Sequence, residues 1–229
     1  MLYIYIYIQK NERRESMAGN INNVNLAKFK VEMEAYDQTA SKLHNAVTAI
    51  YNDLKNFKNC WSGKRVNTVI TIWNNNYELI SKQTFYFAMQ IKLILMEIYN
   101  QYSALEAGKP KDSSYGYGWG GILKVNLTDV NTIKFTESQV KNLITDITSQ
   151  NAKIKASLKE LTNKLDSMKQ YSDSLKSLHA NYTANATNLQ NTISKLCTQI
   201  QIEAEKAFND TKITEGYNEK DAARAKTIK

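Results

Sequence analysis

Residues 29–63 read FKVEMEAYDQTASKLHNAVTAIYNDLKNFKNCWSG, and Gly63 is the first helix breaker among them. Apolar side chains recur at alternating steps of four and three residues, which is the spacing of a continuous apolar seam along an α-helix. The members of this seam are Phe29, Met33, Tyr36, Ala40, Leu43, Val47, Ile50, Leu54, Phe57 and Trp61. The pattern predicts an amphipathic helix over 26–59 that begins after Asn25, a good N-cap residue.

The same alternation resumes directly after Gly63 and predicts a second helix over 64–106. The members of its seam are Val66, Ile70, Trp73, Tyr77, Ile80, Thr84, Phe87, Ile91, Ile94 and Ile98, with Thr84 as the one polar lapse. With a rise of 1.5 Å per residue, each helix is about 50–65 Å long, and neither could bury its seam alone. The short break at Ser62-Gly63 therefore predicts that the two helices form an antiparallel hairpin.

The second half of the chain repeats this plan. Residues 133–135 are expected to be briefly extended, and Thr136 followed by Gln139 is typical of a capping box at the beginning of a helix. The seam that follows contains Val140, Leu143, Ile147, Ile154, Leu158, Leu161, Leu165, Met168, Leu175, Leu178, Tyr182, Leu189, Ile193, Leu196 and Ile200. The polar cluster 170–174 predicts a hairpin turn, because its offset from Thr136 matches that of the first turn from its own cap. One continuous helix over 136–208 remains the alternative.

Together these patterns predict an all-α protein in which two long antiparallel helical hairpins pack as an elongated four-helix bundle. The side chains expected to be largely buried are Trp73, Phe87, Ile91, Leu161 and Leu175. If the second hairpin covers the first, the chain is expected to be a monomer, whereas seams left exposed would force dimers. The sequence favours the monomer and leaves the dimer open.

Five of the eight glycines and the only proline lie within 108–121, a composition typical of a flexible linker. A phosphate-binding loop is not favoured, because no Gly-Lys-Ser/Thr follows and no apolar strand precedes. The aromatic residues Tyr115, Tyr117 and Trp119 are expected to lie against a domain surface. The predicted organisation is a hairpin over 17–107, a Gly- and aromatic-rich linker over 108–132, a second hairpin over 133–210 and a tail over 211–229.

The first residues, MLYIYIYI over 1–8, have neither a basic start nor a cleavage site, so a secretory signal peptide is not predicted. Tyr-Ile alternation is what TAT-ATA repeats encode. The Glu-Arg-Arg at 12–14 can be encoded by a purine-rich ribosome-binding sequence just before Met17. These features suggest the hypothesis that translation starts at Met17 and that 1–16 is a non-native leader.

No enzyme, metal site or cofactor is predicted. The two histidines, His44 and His179, lie among polar neighbours in helices, about 24 and 27 Å along the chain from Cys60 and Cys197 respectively, too far for a nucleophile–base pair. Free thiols are expected rather than a disulfide.

The formal net charge is +8, but lysines alternate with acidic residues on polar faces, which indicates solvated faces rather than a nucleic-acid site. The apolar segment 85–99 is interpreted as a buried helix rather than a membrane-inserting one.

Three motifs carry a resemblance to a known family. Cys60-Trp61-Ser62-Gly63 contains a Trp-x-Gly at the break between two long amphipathic helices. This arrangement resembles the WXG family (ESAT-like, or early-secreted-antigen-like) of proteins exported by type VII secretion systems. Residues 133–140, IKFTESQV, look like the characteristic beginning of another family member, and Tyr217-Asn-Glu-Lys-Asp221 is a Tyr-x-x-x-Asp like the family's export motif. The second hairpin lacks a Trp-x-Gly.

The resemblance implies a non-enzymatic bacterial protein that folds in the cytoplasm and is secreted by a type VII (ESX-like) system without a cleaved signal peptide. In related heterodimers, the Trp-x-Gly of one protein and the tail motif of the other form a composite export signal. The corresponding residues here are Trp61, Gly63, Tyr217 and Asp221, with Trp61 and Tyr217 as apolar anchors. Because antiparallel packing brings the first turn beside the termini of the second hairpin, one chain could hold both halves.

The partners that the resemblance implies are a type VII secretion ATPase and a co-secreted WXG-like protein or larger toxin. Nucleic acid is not expected as a partner, and membrane insertion is not favoured. Two alternatives remain: an intracellular helical adaptor or chaperone that docks a larger toxin for export, and a membrane-active toxin that inserts 85–99.

Overall fold

The computed structural model describes residues 24–107, 122–131 and 134–227, with the backbone alone at 105–107, 179–180 and 213–227. Its α-helices are α1 (Leu26–Asn56), α2 (Lys64–Phe85), α3 (Ile91–Ala107), α4 (Glu137–Met168) and α5 (Asp173–Thr227). A π-helix, Tyr86–Gln90, joins α2 to α3, so these two form one long helical rod. Short 3-10 turns follow α1 at Phe57–Asn59 and α4 at Lys169–Tyr171.

The four rods pack as an all-α bundle, as predicted. Helix α1 packs chiefly against α4, and α2 packs chiefly against α5. The directions follow from cross-helix contacts: Thr39, in the first half of α1, donates to Glu160, in the second half of α4 (2.8 Å). Arg65, at the start of α2, pairs with Asp210, far along α5 (2.7 Å). The helices paired across the two hairpins, α1 with α4 and α2 with α5, are therefore antiparallel. The helices that follow each other within each hairpin are antiparallel as well.

The core of the bundle is the set of seam residues. All five side chains that the sequence predicted to be buried are buried: Trp73, Phe87, Ile91, Leu161 and Leu175. Thr84, the polar lapse in the second seam, is also inside, where its hydroxyl donates to the Ile80 carbonyl (2.7 Å). A short polar residue therefore occupies a core position at little cost, because its hydroxyl is satisfied within its own helix.

Segment 85–99 lies within the bundle rather than outside it. Leu95 and Ile98 are buried together with Lys92, whose ammonium lies 2.8 Å from the Asp37 carboxylate of α1. The π-helix in this segment is held from α1 by the Tyr36 hydroxyl, which donates to the Phe87 carbonyl (2.8 Å). Among the described residues, no helix combines the length and the apolar character that crossing a membrane requires.

The helices begin where the sequence predicted, but the predicted side-chain capping of α4 is wrong. Asn25 caps α1 by accepting from the Lys28 N–H (2.9 Å). Thr136 is the N-cap residue of α4, yet its side chain makes no capping hydrogen bond, so the predicted capping box with Gln139 does not form. The entry into α4 is instead fixed by backbone pairing, because the Thr136 N–H donates to the Cys60 carbonyl (2.8 Å).

The second turn lies where the sequence predicted it. Ser172 is extended (φ −163°, ψ 139°) and separates α4 with its 3-10 turn from α5, so the single helix over 136–208 is excluded. Helix α5 runs on to Thr227, and most of the predicted tail, 211–229, is therefore a continuation of the last helix rather than a separate segment. The hypotheses about 1–16 and about the aromatic residues of 108–121 concern positions outside the described residues.

Residues 122–131, which the sequence assigned to the linker, lie along α2. Ile122 and Val125 are part of the core, and the segment is neither helix nor strand. Val125 to Thr128 spans the two helical turns between Asn74 and Asn67, about 10 Å, so this part of the backbone is close to extended. We call residues 122–131 the strap.

Candidate functional site

The candidate site lies at the end of the bundle where the first hairpin turns. The backbone leaves α1 through a 3-10 turn and reaches Gly63, which has φ 109° and ψ −169°. Residues with a side chain rarely adopt this conformation. A Cβ at Gly63 would meet nothing within 4 Å, so glycine is required here by the backbone and not by crowding. The break that the sequence predicted at Ser62-Gly63 is confirmed.

Trp61 closes this end of the bundle. Its side chain is only 2% exposed, and its ring packs nearly perpendicular to Phe57 (5.3 Å between centroids) and to Phe135 (5.9 Å). Edge-to-face packing of this kind adds to the large apolar area that a buried indole removes from water. Trp61 is therefore a packing residue in this structure, and its enclosed ring offers no exposed apolar surface to a receptor.

A short backbone pairing ties the turn to the segment that leads into α4. Trp61 and Phe135 form an antiparallel β-bridge. Ser62 contributes twice: its N–H donates to the Lys134 carbonyl, and its hydroxyl accepts from the Lys134 N–H, both at 2.9 Å. The first turn and the beginning of the second hairpin are thus one structural unit.

Helix α5 reaches the same end of the bundle. The Arg65 guanidinium donates through Nε to Asp210 (2.8 Å) and lies 3.5 Å from Glu203, and Lys206 pairs with Glu203 (2.8 Å). The hydrogen bond from Lys206, together with the charges of Lys206 and Arg65, lowers the pKa of Glu203 against the opposing effect of burial. Glu203 is therefore a carboxylate at neutral pH although it is almost fully buried.

The predicted proximity of the first turn to the last helix is confirmed by these contacts. Phe208 adds an apolar one, since its ring lies 5.2 Å from that of Phe135. The positions of Tyr217 and Asp221 lie farther along α5, about 10 and 16 Å beyond Asp210 at 1.5 Å per residue. They are one helical turn apart, and their side chains lie outside the described residues.

The two cysteines are free thiols, as predicted, and both are buried. Burial raises the pKa of Cys60, against a smaller opposing effect from the charge of Lys134, and raises the pKa of Cys197 to about 12. Both thiols are therefore held in the neutral form, which is a weak nucleophile.

His44 lies one turn from Thr48 in α1, with Nε2 3.5 Å from the hydroxyl, and the His179 side chain is outside the described residues. In the described part of the chain, no cluster of three or more His, Cys, Asp or Glu residues could hold a metal ion.

The strap approaches this end of the bundle along α2, and the sequence analysis did not identify the residues that hold it. Asn74 binds both main-chain groups of Val125, and Asn67 binds both main-chain groups of Thr128. The Trp73 indole N–H donates to the Leu123 carbonyl (3.0 Å). One signal was present: the two asparagines are seven residues apart, and each follows a seam residue directly.

Comparison of this chain with protein-family models, with curated proteins and with solved structures finds no match.

Proposed function

We propose that this chain is a non-enzymatic substrate of a type VII secretion system that folds before export and carries a composite export signal at one end of its bundle. The observation behind the proposal is the contact between the first turn and α5, in which Arg65 pairs with Asp210 at 2.7 Å. A composite signal needs its two halves at a fixed mutual distance. The Arg65–Asp210 pair and the Phe135–Phe208 contact supply such a constraint between the turn and the helix that bears the tail motif.

The continuity of α5 also supports the proposal. A helix that is unbroken to Thr227 carries positions 217 and 221 away from the turn in a defined direction, one above the other. In this proposal Tyr217 supplies an apolar anchor, and Asp221 supplies a charge that orients the tail against a basic surface of the secretion ATPase. Trp61 and Gly63 act indirectly, by giving the turn the shape against which α5 packs.

The test is export from a bacterium that has a type VII system, compared with the same strain lacking the system's ATPase. The double variant Tyr217→Ala, Asp221→Ala is expected to lower the extracellular fraction at least about tenfold, because both proposed contacts are lost. Glu219→Ala is the matched control, since it removes a carboxylate between the two motif positions. Its export should equal that of the unmodified chain.

Two results would contradict the proposal at different levels. Normal export of the double variant would refute the composite signal but not the proposal of type VII export. Export that does not depend on the ATPase would refute the proposal that a type VII system exports this chain. Retention in the cell with a larger protein bound would favour the adaptor alternative.

A further inference from the structure

Most of the hydrogen bonds that hold the strap are made to its main chain. Asn74 donates to the Val125 carbonyl (2.9 Å) and accepts from the Val125 N–H (2.8 Å). Asn67 does the same for Thr128, again at 2.9 and 2.8 Å. Any residue offers the same two main-chain groups, so a pair of amides seven residues apart on a helix can hold an extended peptide of varied sequence.

Three strap side chains add selectivity. Ile122 and Val125 are buried against the bundle, and Thr128 follows at the same interval of three residues. The Thr128 hydroxyl accepts from the Gly63 N–H (3.1 Å) and donates to Asn67 (2.9 Å), so the positive-φ residue of the turn takes part. The preferred segment is therefore extended, with an aliphatic residue, a second aliphatic residue and a threonine at intervals of three.

Several other side chains of the strap are exposed to solvent. Leu123 and Leu127 are each 58% exposed and Val130 is 51% exposed, although all three are large and apolar. The strap is fixed by side-chain amides and an indole rather than by a neighbouring strand, and it buries two aliphatic side chains. Segments with few buried contacts open locally at a free energy well below that of global unfolding.

We propose that the strap is a displaceable internal ligand, and that the surface beneath it is a binding groove for an extended segment of a partner protein. The groove is lined by Asn67, Trp73, Asn74 and the Gly63 N–H. The segment it would accept has the pattern aliphatic-x-x-aliphatic-x-x-Thr, which is the pattern of the strap itself. This inference does not depend on type VII export.

Covalent attachment explains why the closed form dominates in the isolated chain. A tethered ligand has an effective local concentration of the order of millimolar, so a free segment must bind more tightly than the strap or meet a chain whose strap has been released. The strap in this view keeps the groove shut until a partner with a better segment, or additional contacts, displaces it.

The test uses the full chain with a strap that cannot dock. Val125→Asp puts a carboxylate at a position that is 5% exposed, which should expel the strap. Leu127→Asp is the matched control, because it adds the same charge to the strap at an exposed position. The probe is a fluorescein-labelled peptide of residues 122–131, with binding followed by fluorescence anisotropy and folding by circular dichroism.

The Val125→Asp chain should remain helical and bind the peptide at least about tenfold more tightly than either the unmodified chain or Leu127→Asp. Adding Asn67→Ala and Asn74→Ala to Val125→Asp should lower this affinity at least about tenfold, whereas Asn75→Ala, at an exposed neighbouring position, should not.

Two outcomes would overturn the inference. A helical Val125→Asp chain that does not bind the peptide would show that the groove has no capacity to bind in trans. Loss of the helical fold in Val125→Asp would show that the strap is a permanent part of the core. Hydrogen exchange of the unmodified chain supplies an independent check: the Val125 and Thr128 amides should exchange at least about 100-fold faster than the Trp73 amide of α2, and equal rates would refute displacement.

Discussion

Asp53 lies in the last turn of α1, half-buried, and interacts with the carboxylate of Asp146 on α4. Burial, followed by the charge of Asp146, raises the pKa of Asp53 to about 6. An acidic residue in the last turn is also unfavourable because of the helix dipole. Asp53→Asn removes the charge while keeping the shape and a similar helix propensity, so we expect it to stabilise the protein at neutral pH.

The size of this effect can be bounded from the pKa. A pKa about 2 units above the value in the unfolded chain corresponds to at most about 3 kcal/mol of destabilisation at pH 7. Because Asp53 is only half-buried, solvent screens much of this interaction, and a gain of about 1 kcal/mol for Asp53→Asn is the realistic expectation.

The pH dependence has a definite sign. Between pH 6 and 4 the folded protein binds more protons at Asp53 than the unfolded chain does, so the penalty disappears as the pH falls through this window. The difference in unfolding free energy between Asp53→Asn and the unmodified protein should therefore be about 1 kcal/mol at pH 7.5 and near zero at pH 4.

Urea denaturation of both proteins at several pH values measures this difference, and most other titrating groups cancel in the comparison. Asp146→Asn should give a smaller gain, since it removes only the lesser cause of the raised pKa. An Asp53→Asn protein that is less stable than the unmodified one at pH 7.5, or a difference that is constant from pH 7.5 to pH 4, would refute the reasoning.

Three further changes probe the packing. Asp37→Ala should cost about 3 kcal/mol in urea denaturation, because it leaves the buried Lys92 ammonium without its carboxylate, and adding Lys92→Met should recover most of the loss; equal stability of the single and double variants would contradict this. Gly63→Ala should cost about 1–3 kcal/mol from backbone strain alone, measured by thermal melting, and an unchanged melting temperature would be inconsistent with the positive φ. Trp61→Ala should cost about 3–5 kcal/mol and weaken the near-ultraviolet circular dichroism; a native stability would mean that the ring is not a core residue.

The burial of Trp61 changes how an export experiment must be interpreted. Replacing an exposed recognition residue would block secretion while leaving the fold intact. A side chain enclosed by Phe57 and Phe135 cannot be removed without loss of stability, so reduced export of Trp61→Ala would not distinguish recognition from unfolding. Tyr217 and Asp221 are therefore the better positions for testing the proposed signal.

The helices, their antiparallel pairing and both turns were determined by the sequence. An apolar residue at every third or fourth position specifies which face of a helix is buried, and a long helix with such a face must find a partner. Gly63 marks the first turn because only a residue without a side chain adopts its φ readily, and the polar residues around Ser172 mark the second. These signals are local, so they can be read along the chain.

The roles of individual side chains at the candidate site were decided by the tertiary structure alone. In the sequence Lys92 is a polar residue within an apolar segment, yet it is buried because Asp37 of another helix lies opposite it. The sequence analysis assigned the strap to the linker, yet Asn67 holds Thr128 at a sequence separation of 61 residues. Pairings of this kind follow no local period, because an amide can bind any main-chain group that the fold brings to it. Only the packing of the bundle determines which group that is.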